Sequence, residues 1–306
     1  MASQASSLTS FSDAIAELVA QVSPSVGAIQ GRRSFYSAGV VWKQGVIVTA
    51  AHTIRRDEDI GVTLHDGAQT KAKLVGKDPG SDLAVLSYDH ATAIPAQNVG
   101  SDKIRIGDVA VIVGRSPNSG PNASFGIVSA VSGPWRTWRG GQLDQYLRLD
   151  ATLFSGSSGG AVVDQNGRII GIATNALSRV AGLAVPASTV QRVVDFVLQK
   201  GSVPTAYLGV GLHPVPIPEA LQQKLSVKNR EGLMILAVDN GGPAETAGIL
   251  IGDIVVNVEG VTTDDLEAVQ ANLGPDRIGK NLRVQLIRGG ELKSVTVVPG
   301  ERSSAQ

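Results

Sequence analysis

Residues 151–164 read ATLFSGSSGGAVVD and place three serines and three glycines in six consecutive positions between two apolar flanks. Glycine supplies positive φ and serine can bond back to its own backbone, so a plain turn is the simplest interpretation. Gly156, Ser158 and Gly160 also satisfy the pattern G-x-S-x-G, in which a nucleophilic serine sits on a sharp turn. The segment therefore indicates either a turn next to a core or a reactive serine, and the type of chain around it decides between them.

The composition sets the broad class. The chain has 306 residues, enough for two or three domains that each bury a core. Lys and Arg together number 27, as do Asp and Glu, so no charge excess favours nucleic acid or an anionic membrane as the main partner. There is no cysteine, which excludes disulfides and thiolate metal sites. No cluster of metal ligands is visible either, so we expect neither a metal nor an organic cofactor.

The N-terminal sequence bears on the compartment. No apolar run approaches the length of a membrane span. The first thirty residues contain Asp13 and Glu17 but no Lys or Arg, and they lack the pattern of a secretory signal. We expect a cytoplasmic protein if Met1 is the native start, and a periplasmic or otherwise extracytoplasmic one if a signal segment has been removed.

An N-terminal arm is assigned to residues 1–24. Within it, residues 12–22 (SDAIAELVAQV) are predicted to form a short amphipathic helix that Ser12 caps and Pro24 ends. The residues that share its apolar face are Ile15, Leu18, Val19 and Val22.

Residues 25–200 are predicted to form one domain that is mainly β. Most of it consists of short β-branched segments such as VIVTAA, VAVIVG and RIIGIAT, separated by Gly, Pro, Asn and Asp. Many short strands without helical periodicity indicate an antiparallel barrel or sandwich. The helix STVQRVVDFVLQK closes the domain at 188–200, with Ser188 and Gln191 as a capping box and Gly201 as its stop.

A linker of small residues is assigned to 201–206, and a separate α+β domain to 207–302. That domain mixes strands with two short helical patterns, near AETAG and DDLEAVQANL. Gly274–Lys280 (GPDRIGK) matches a phosphate loop until Asn281 replaces the final Ser or Thr. Because a strand rather than a helix is predicted to follow, nucleotide binding is not expected.

A nucleophilic serine needs a base, and the position of that base separates two fold types. In α/β-hydrolases the histidine follows the serine, but the only later histidine here is His213, in another predicted domain. Earlier in the chain, His65 and His90 lie at hairpin or loop signals and are expected at the surface. His52 differs because it directly follows the apolar strand VIVTAA and has small neighbours. A buried structural histidine is the alternative interpretation of His52.

An acidic partner for His52 is also available. Asp82 begins the apolar strand SDLAVL, so we expect it to be partly buried and to need a partner for its charge. Asp78 precedes a proline and is predicted to start a turn, while Asp89 and Asp102 are expected to be solvated. The three candidates follow the chain order of the chymotrypsin-type triad: His52, Asp82, Ser158.

Several segments together carry a family resemblance. VTAAHTI, DPGSDLAVL, SFGIVSAV and DATLFSGSSGGAVVDQNGRIIGIAT resemble the HtrA-type branch of trypsin-like serine proteases, and AGLAVPAS resembles the strand that lines its substrate cleft. YLGV, GGPAETAGILIGDIVVNVEG and RVQLIRGG resemble a PDZ domain. The resemblance covers nearly the whole chain after Ser25. It implies a chymotrypsin-like pair of six-stranded antiparallel β-barrels followed by a small α+β PDZ domain.

The resemblance also implies roles for residues of the first domain. Ser158 would be the nucleophile, His52 its general base and Asp82 the group that orients the imidazole. An oxyanion hole would be formed at Gly156, Ser157 and Ser158, with backbone N–H groups of the first and last as donors. Ser157 stands where HtrA relatives usually have Asn and digestive relatives have Asp. Without that Asp, control by loop rearrangement is expected in place of N-terminal insertion.

Two binding sites are implied in the same way. The substrate pocket would be lined by the uncharged residues Thr152, Leu153, Phe154 and Leu183. This lining predicts cleavage after small or medium aliphatic residues such as Val or Ala. The loop that would receive a peptide carboxylate, before the peptide adds a strand to the sheet, is Tyr207, Leu208, Gly209 and Val210.

The expected function is therefore an ATP-independent serine endopeptidase for unfolded or damaged proteins, with a PDZ domain that binds peptide C-termini. A catalytically idle peptide-binding chaperone or scaffold is the alternative, and an esterase would share the chemistry. In related proteases the N-terminal segment packs subunits into trimers. Phe11, Phe35 and Tyr36 are the aromatic residues that would support a homotrimer here.

Overall fold

The computed structural model describes residues 2–32, 35–97, 99–100, 103–178, 180–201, 203–204, 206–263, 266, 269 and 273–301. Its contacts divide the chain into two units. The first comprises Met1–Trp135 and Gln142–Val203, and the second Arg136–Gly141 and Pro204–Gln306. The first unit contains two closed barrels, and the second contains an open sheet.

The first barrel is closed and antiparallel. Its strands are β1 (Val26–Gln30), β2 (Ser37–Lys43), β3 (Val46–Ala50), β4 (Ile60–Thr63), β5 (Gln69–Asp78) and β6 (Leu83–Tyr88), in the order β1-β2-β3-β6-β5-β4. Successive side chains of a strand point to opposite faces. Ile29, Val41 and Ile47 accordingly fill the barrel interior, whereas Val40 and Val48 pack outside it in the core shared with the second barrel. Both faces of β2 and β3 are therefore apolar.

The second barrel repeats this arrangement. Its strands are β7 (Val109–Ser116), β8 (Gly120–Ser132), β11 (Tyr146–Asp150), β12 (Ala161–Val163), β13 (Ile169–Thr174) and β14 (Gly182–Pro186), in the order β11-β14-β13-β12-β7-β8. Between β8 and β11 lies a two-stranded ribbon of β9 (Trp135–Arg136) and β10 (Gln142–Leu143). Val111, Val113 and Ala161 pack with the first barrel's outward residues. The two-barrel, mainly β architecture predicted from the resemblance is confirmed.

The helix boundaries correct two details of the sequence interpretation. Helix α1 spans Ala2–Val22, so it begins ten residues before the predicted start, and Ser12 lies inside it rather than at its cap. The segment before Ser12 holds no glycine or proline that would stop a helix. The predicted apolar face is the buried side of the helix, and Pro24 follows its end. No helix in the described ranges is long and apolar enough to cross a membrane.

Helix α2 (Ala187–Lys200) ends at Gly201, which takes φ +78°, as predicted. The predicted capping box is wrong: the helix starts at Ala187 and no side chain caps it. Gln191 instead accepts a hydrogen bond from Trp42 Nε1 at 2.9 Å and donates to Asp195. The Gln191 side chain, which the local sequence pattern assigned to a helix cap, thus forms a tertiary contact with Trp42 of β2.

The second unit contains a small α+β fold. Among its described residues, the continuous α-helices are α3 (Glu219–Leu225) and α4 (Pro243–Thr246), and the strands are β15 (Ala206–Tyr207), β16 (Val210–Pro216), β17 (Glu231–Val238), β18 (Ile254–Val258), β19 (Val261–Thr262), β20 (Leu282–Arg288), β21 (Glu291–Val297) and β22 (Gly300–Glu301). Most of the predicted helical pattern DDLEAVQANL lies outside the described residues. The main sheet runs β16-β17-β18-β20-β21, with β19 paired to β18, and β15 pairs with β22. Strand β20 directly follows Asn281, so no helix follows the phosphate-loop-like segment. Strand β16 forms one edge of the sheet.

Candidate active site

His52 and Asp82 are brought together by strand register in the first barrel. Ala50, the last residue of β3, pairs with Leu83, the first residue of β6. Because the strands are antiparallel, the residues that follow β3 meet the residues that precede β6. His52 lies in a 3₁₀ turn immediately after β3, and Asp82 immediately precedes β6 with φ +58°.

The Asp82 carboxylate holds His52 by two hydrogen bonds, one to the imidazole and one to the backbone. His52 Nδ1 lies 2.8 Å from Asp82 Oδ2, and the His52 backbone N–H donates to Oδ1 at 2.9 Å. Thr174 Oγ1 donates to Oδ2 at 2.5 Å, and the backbone carbonyl of Asp82 accepts from Ala51 N–H. Asp82 is fully buried, whereas the His52 side chain is 25% exposed. Because the carboxylate accepts a hydrogen bond, it favours the tautomer with the proton on Nδ1, so that Nε2 is available as a base.

Ser158 lies in the loop between β11 and β12. This loop contains a turn from Phe154 to Ser157, closed by a 3.0 Å hydrogen bond from Ser157 N–H to Phe154 O. Gly156, at the third position of the turn, takes φ +92°. That position of a type II turn favours glycine. Gly159 takes φ +86°, and a Cβ there would lie 2.5 Å from Thr49 Oγ1 and closer still to the Ala38 carbonyl oxygen. The glycines thus let the loop approach the first barrel closely.

Backbone N–H groups around Ser158 fall into two sets. Ser157, Gly159 and Gly160 donate to the carbonyl oxygens of Phe154, Ala173 and Ser157. Within the part of the chain that the structure describes, the N–H groups of Gly156 and Ser158 donate to no acceptor. Two unused donors on either side of Ser157 are a suitable arrangement for a carbonyl oxygen that gains negative charge.

The Ser158 hydroxyl donates to Asn175 Oδ1 at 3.4 Å. Among the described residues, no hydrogen bond joins this hydroxyl to His52. The backbone is held more firmly, since Ser158 O accepts from Ala38 N–H at 3.0 Å. The structure thus pairs His52 with Asp82 and leaves the serine hydroxyl on a long contact with a different partner.

Two residues of this site were missed by the sequence interpretation, Thr174 and Asn175. They form the end of the apolar segment RIIGIATN, and Thr174 is fully buried. A buried hydroxyl needs a hydrogen-bond partner. The same argument that selected Asp82 at the start of an apolar strand would have selected Thr174 at the end of one.

The other titratable candidates lie in separate local structures. Asp78 is half-buried and accepts hydrogen bonds from Gly80 N–H and Ser81 Oγ, the turn expected at this position. Burial raises the pKa of Asp78, although those hydrogen bonds oppose the rise. His65 and His90 are half-buried rather than exposed, and His90 Nδ1 lies 3.1 Å from Thr92 Oγ1 in its own loop. Asp89 is exposed as expected, and Asp102 lies outside the described residues.

The four residues assigned to a substrate pocket do not share one environment. Thr152 is exposed and Phe154 is 59% exposed, while Leu153 is half-buried. Leu153 packs so closely that a Cβ on Gly182 would overlap its side chain. Leu183 is buried in the core shared by the two barrels. A pocket formed by Thr152, Leu153, Phe154 and Leu183 stays a prediction.

The residues assigned to a carboxylate-binding loop lie at the start of the main sheet of the second unit. Tyr207 ends β15, Val210 begins β16, and Gly209 between them takes φ +77°. The Tyr207 hydroxyl donates to Asp239, and Gly209 O accepts from Asp239 N–H. Leu208 is buried in the core of this unit. The loop therefore has a fixed backbone beside an open sheet edge.

Among the described residues, no group of three or more His, Cys, Asp or Glu side chains is arranged to hold a metal ion.

Comparison with known families finds two family models that match different parts of the chain. A model of the trypsin-like peptidase domain matches residues 37–172, and a model of the PDZ domain matches residues 207–298. The first match begins at β2 and ends in β13, and the second begins at Tyr207.

Curated relatives include two proteins named as probable periplasmic serine endoprotease DegP-like. The protein of Halomonas elongata is 30% identical over 286 residues, which are 92% of this chain and 59% of the relative. That of Brucella suis is 34% identical over 249 residues, 78% of this chain and 48% of the relative. The chain thus spans about half the length of these relatives.

Solved structures are similar over almost the whole chain. The HtrA-type protease AlgW with decapeptide has a TM-score of 0.66 and 26% identity, and the match covers 95% of this chain and 99% of AlgW. The serine endoprotease from Yersinia pestis has a TM-score of 0.65 and 28% identity, with 94% of this chain and 97% of that chain covered.

Proposed function

We propose that this chain, which belongs to the HtrA-type family of trypsin-like serine proteases with one PDZ domain, is a serine endopeptidase that acts on unfolded or damaged proteins. The observation that carries the proposal is the buried Asp82 carboxylate 2.8 Å from His52 Nδ1. A carboxylate in that place orients the ring and stabilises its charged form. The unused N–H groups beside Ser158 support the same chemistry.

The proposed reaction proceeds in two steps. Ser158 Oγ attacks the peptide carbonyl carbon while His52 Nε2 takes the hydroxyl proton, and the Gly156 and Ser158 N–H groups stabilise the negative oxygen. His52 returns the proton to the leaving amine as the C–N bond breaks, which leaves an acyl-enzyme. Water then hydrolyses the ester, again with His52 as the base. The Asp82 carboxylate holds Nδ1–H in both steps.

This reaction requires the Ser158 hydroxyl to turn from Asn175 to His52. The contact with Asn175 is the observation that favours the alternative, an idle peptide-binding chaperone or scaffold. A fluorophosphonate probe on the full chain separates the two functions. The protease predicts covalent labelling that Ser158→Ala abolishes and that Ser155→Ala, a change at an exposed serine of the same loop, retains. If no labelling occurs even in the presence of unfolded protein and peptide, the result would favour the catalytically idle chaperone or scaffold.

The substrate is proposed to be a protein chain rather than a small ester. Casein should be degraded without added nucleotide, because the phosphate-loop-like segment is followed by a strand. Ester hydrolysis without casein degradation would identify an esterase. A requirement for ATP would contradict the proposal.

We propose cleavage after small or medium aliphatic residues. The support is the absence of charge on Thr152, Leu153, Phe154 and Leu183, so that Lys or Arg would find no partner there. A peptide library randomised before the scissile bond tests this, with Val and Ala expected to dominate. Preference for Arg at that position would overturn the proposed pocket.

The second unit is proposed to bind peptide C-termini at Tyr207, Leu208, Gly209 and Val210. Support comes from the positive φ of Gly209 and from β16, which forms a sheet edge next to that loop. AlgW, a similar protein, has been solved with a decapeptide. A peptide with a free carboxylate should bind the full chain more tightly than the same peptide amidated. Equal affinity would reject carboxylate recognition.

A homotrimer is proposed from exposed aromatic residues near the N-terminus. Phe11 on α1 meets Phe125 edge to face at 5.5 Å between ring centroids; both side chains are about half exposed, and Phe35 is 64% exposed. Sedimentation should report three copies, and Phe11→Ser should reduce this number. Leu198→Ser, at an exposed leucine of α2, serves as the control.

An extracytoplasmic location is proposed because the named relatives are described as periplasmic. Fractionation of cells that express the native gene tests this, with the protein expected outside the cytoplasm.

A further inference from the structure

The edge strand of the second unit carries prolines at alternate positions. The sequence from Leu212 to Pro218 reads LHPVPIP, so every second residue after Leu212 is a proline. Proline has no backbone N–H and cannot donate to a neighbouring strand. Alternating residues of a strand direct their N–H and C=O groups to opposite edges. The donors missing at Pro214 and Pro216 therefore belong to one edge of β16.

The hydrogen bonds identify which edge this is. Ile217 N–H donates to Arg230 O at 2.9 Å, and the pairing of Val215 with Gly232 and of Pro216 with Glu231 continues the same register. The backbone groups of Ile217, Val215 and His213 therefore face β17. Leu212, Pro214 and Pro216 face away from β17, toward the edge that no strand covers within the described residues.

On that open edge, hydrogen-bonding capacity falls abruptly along β16. Leu212 offers both an N–H and a C=O, whereas Pro214 and Pro216 offer only a C=O. A peptide that adds as a strand next to the loop at residues 207–210 would meet Leu212 with its third residue from the C-terminus. The fifth residue would meet Pro214, which has no donor for the peptide carbonyl.

We infer that Leu212 is the last residue on this edge that can both donate a backbone hydrogen bond to a bound peptide and accept one from it. The PDZ unit therefore recognises only about the last three residues of a C-terminal peptide. The inference rests on the proposed binding of C-termini and specifies the length of ligand read. Prolines on edge strands also prevent pairing with unrelated strands. The same residues thus limit the ligand and protect the edge.

The test compares peptide length in the full-length Ser158→Ala chain, which cannot cleave the probe. A pool of acetylated heptapeptides, with four alanines before three randomised residues and a free carboxylate, is screened by affinity selection. The best binder and its C-terminal tripeptide are then titrated by calorimetry. In the wild-type strand their Kd values should agree within about twofold.

Pro214→Ala restores the missing donor. The heptapeptide should then bind about two- to tenfold tighter, the usual net contribution of one hydrogen bond, while the tripeptide is unchanged. Pro121→Ala, at an exposed strand proline of the other unit, should change neither value. The unchanged tripeptide affinity also reports that the variant is folded.

The outcomes separate the two proposals. A heptapeptide that binds the wild-type strand tenfold or more tighter than its tripeptide overturns the inference but leaves C-terminal binding intact. The inference is also overturned if Pro214→Ala leaves the ratio of the heptapeptide Kd to the tripeptide Kd unchanged. If no member of the pool binds, C-terminal recognition itself fails and the inference fails with it.

Discussion

The two ends of the candidate triad are built differently. At the acid–base end, His52, Thr174 and Ala51 all donate to Asp82, and the carboxylate is fully buried. At the nucleophile end, the Ser158 backbone is fixed by Ala38, but its hydroxyl has one contact of 3.4 Å. One end is set by side-chain hydrogen bonds, and the other by glycine-dependent backbone packing.

This difference teaches where the site is rigid and where it can adjust. A buried carboxylate must keep its partners, because an unpaired buried charge is costly. A hydroxyl at the edge of hydrogen-bond distance can rotate between acceptors at low cost. We therefore expect substitutions at the acid–base end to have large effects on turnover, and substitution of the hydroxyl's partner to have small ones.

The largest effect is expected for Asp82→Asn. An amide in place of the carboxylate favours the wrong imidazole tautomer, so kcat for peptide hydrolysis should fall about 10⁴-fold. Circular dichroism should show that the fold is kept, and Asp89→Asn, at an exposed aspartate, should retain full activity. Near-normal turnover would show that Asp82 is not the acid of this site.

Gly159→Ala tests the backbone packing under Ser158. The added Cβ would overlap the Ala38 carbonyl oxygen, so the loop must shift and the Ser158 N–H with it. Loss of one such donor lowers kcat by about 10²- to 10³-fold. Gly67→Ala is the control: Gly67 has a similar φ, +83°, but no atom lies within 4 Å of a Cβ added there. That control should cost stability from backbone strain, about 1–2 kcal/mol, and leave kcat unchanged.

Thr174→Val removes the hydroxyl that donates to Asp82 while it keeps the side-chain shape. A hydrogen bond to a charged group contributes about 1.5–3 kcal/mol, so kcat should fall between about ten- and a hundredfold. Thr174→Ser retains the donor and should recover most of the activity. If both variants lose activity equally, Thr174 acts through packing rather than through the carboxylate.

The smallest effect is expected for Asn175→Ala. Because its contact with Ser158 Oγ is long, removal should change the rate of fluorophosphonate labelling by less than about threefold. Asn166→Ala, outside the site, provides the baseline. A rise of tenfold or more in labelling would mean that Asn175 restrains the hydroxyl, and the two ends of the triad would then be equally constrained.

Much of the fold follows from local patterns in the sequence. Short β-branched segments separated by Gly, Pro, Asn and Asp predicted the strands, and the segments VVW and VIVTA correspond to strands that are buried on both faces. The glycines around Ser158 signalled a backbone that other residues cannot adopt. The length of α1 was underestimated, because Ser12 was assigned to a cap although no glycine or proline precedes it to stop a helix.

Some site residues were outside the reach of such patterns. Gln191 matched a capping box but accepts a hydrogen bond from Trp42, 149 residues away, because the fold brings that side chain of β2 beside the helix. Asn175 had no signal of its own, since a polar residue after a strand is common in loops. Its place beside Ser158 depends on which strands neighbour one another in the second barrel.

The sequence by itself determined which segments form strands, where the chain must turn on glycine, and which residue types are available for chemistry, because these depend on periodicity and local backbone sterics. Only the tertiary structure decided that Ala50 pairs with Leu83, which sets His52 against Asp82, and that Thr174 completes the carboxylate's partners. Contacts between residues remote in the chain depend on barrel closure and strand register. A register shift of one residue would turn strand side chains such as Thr174 to the opposite face.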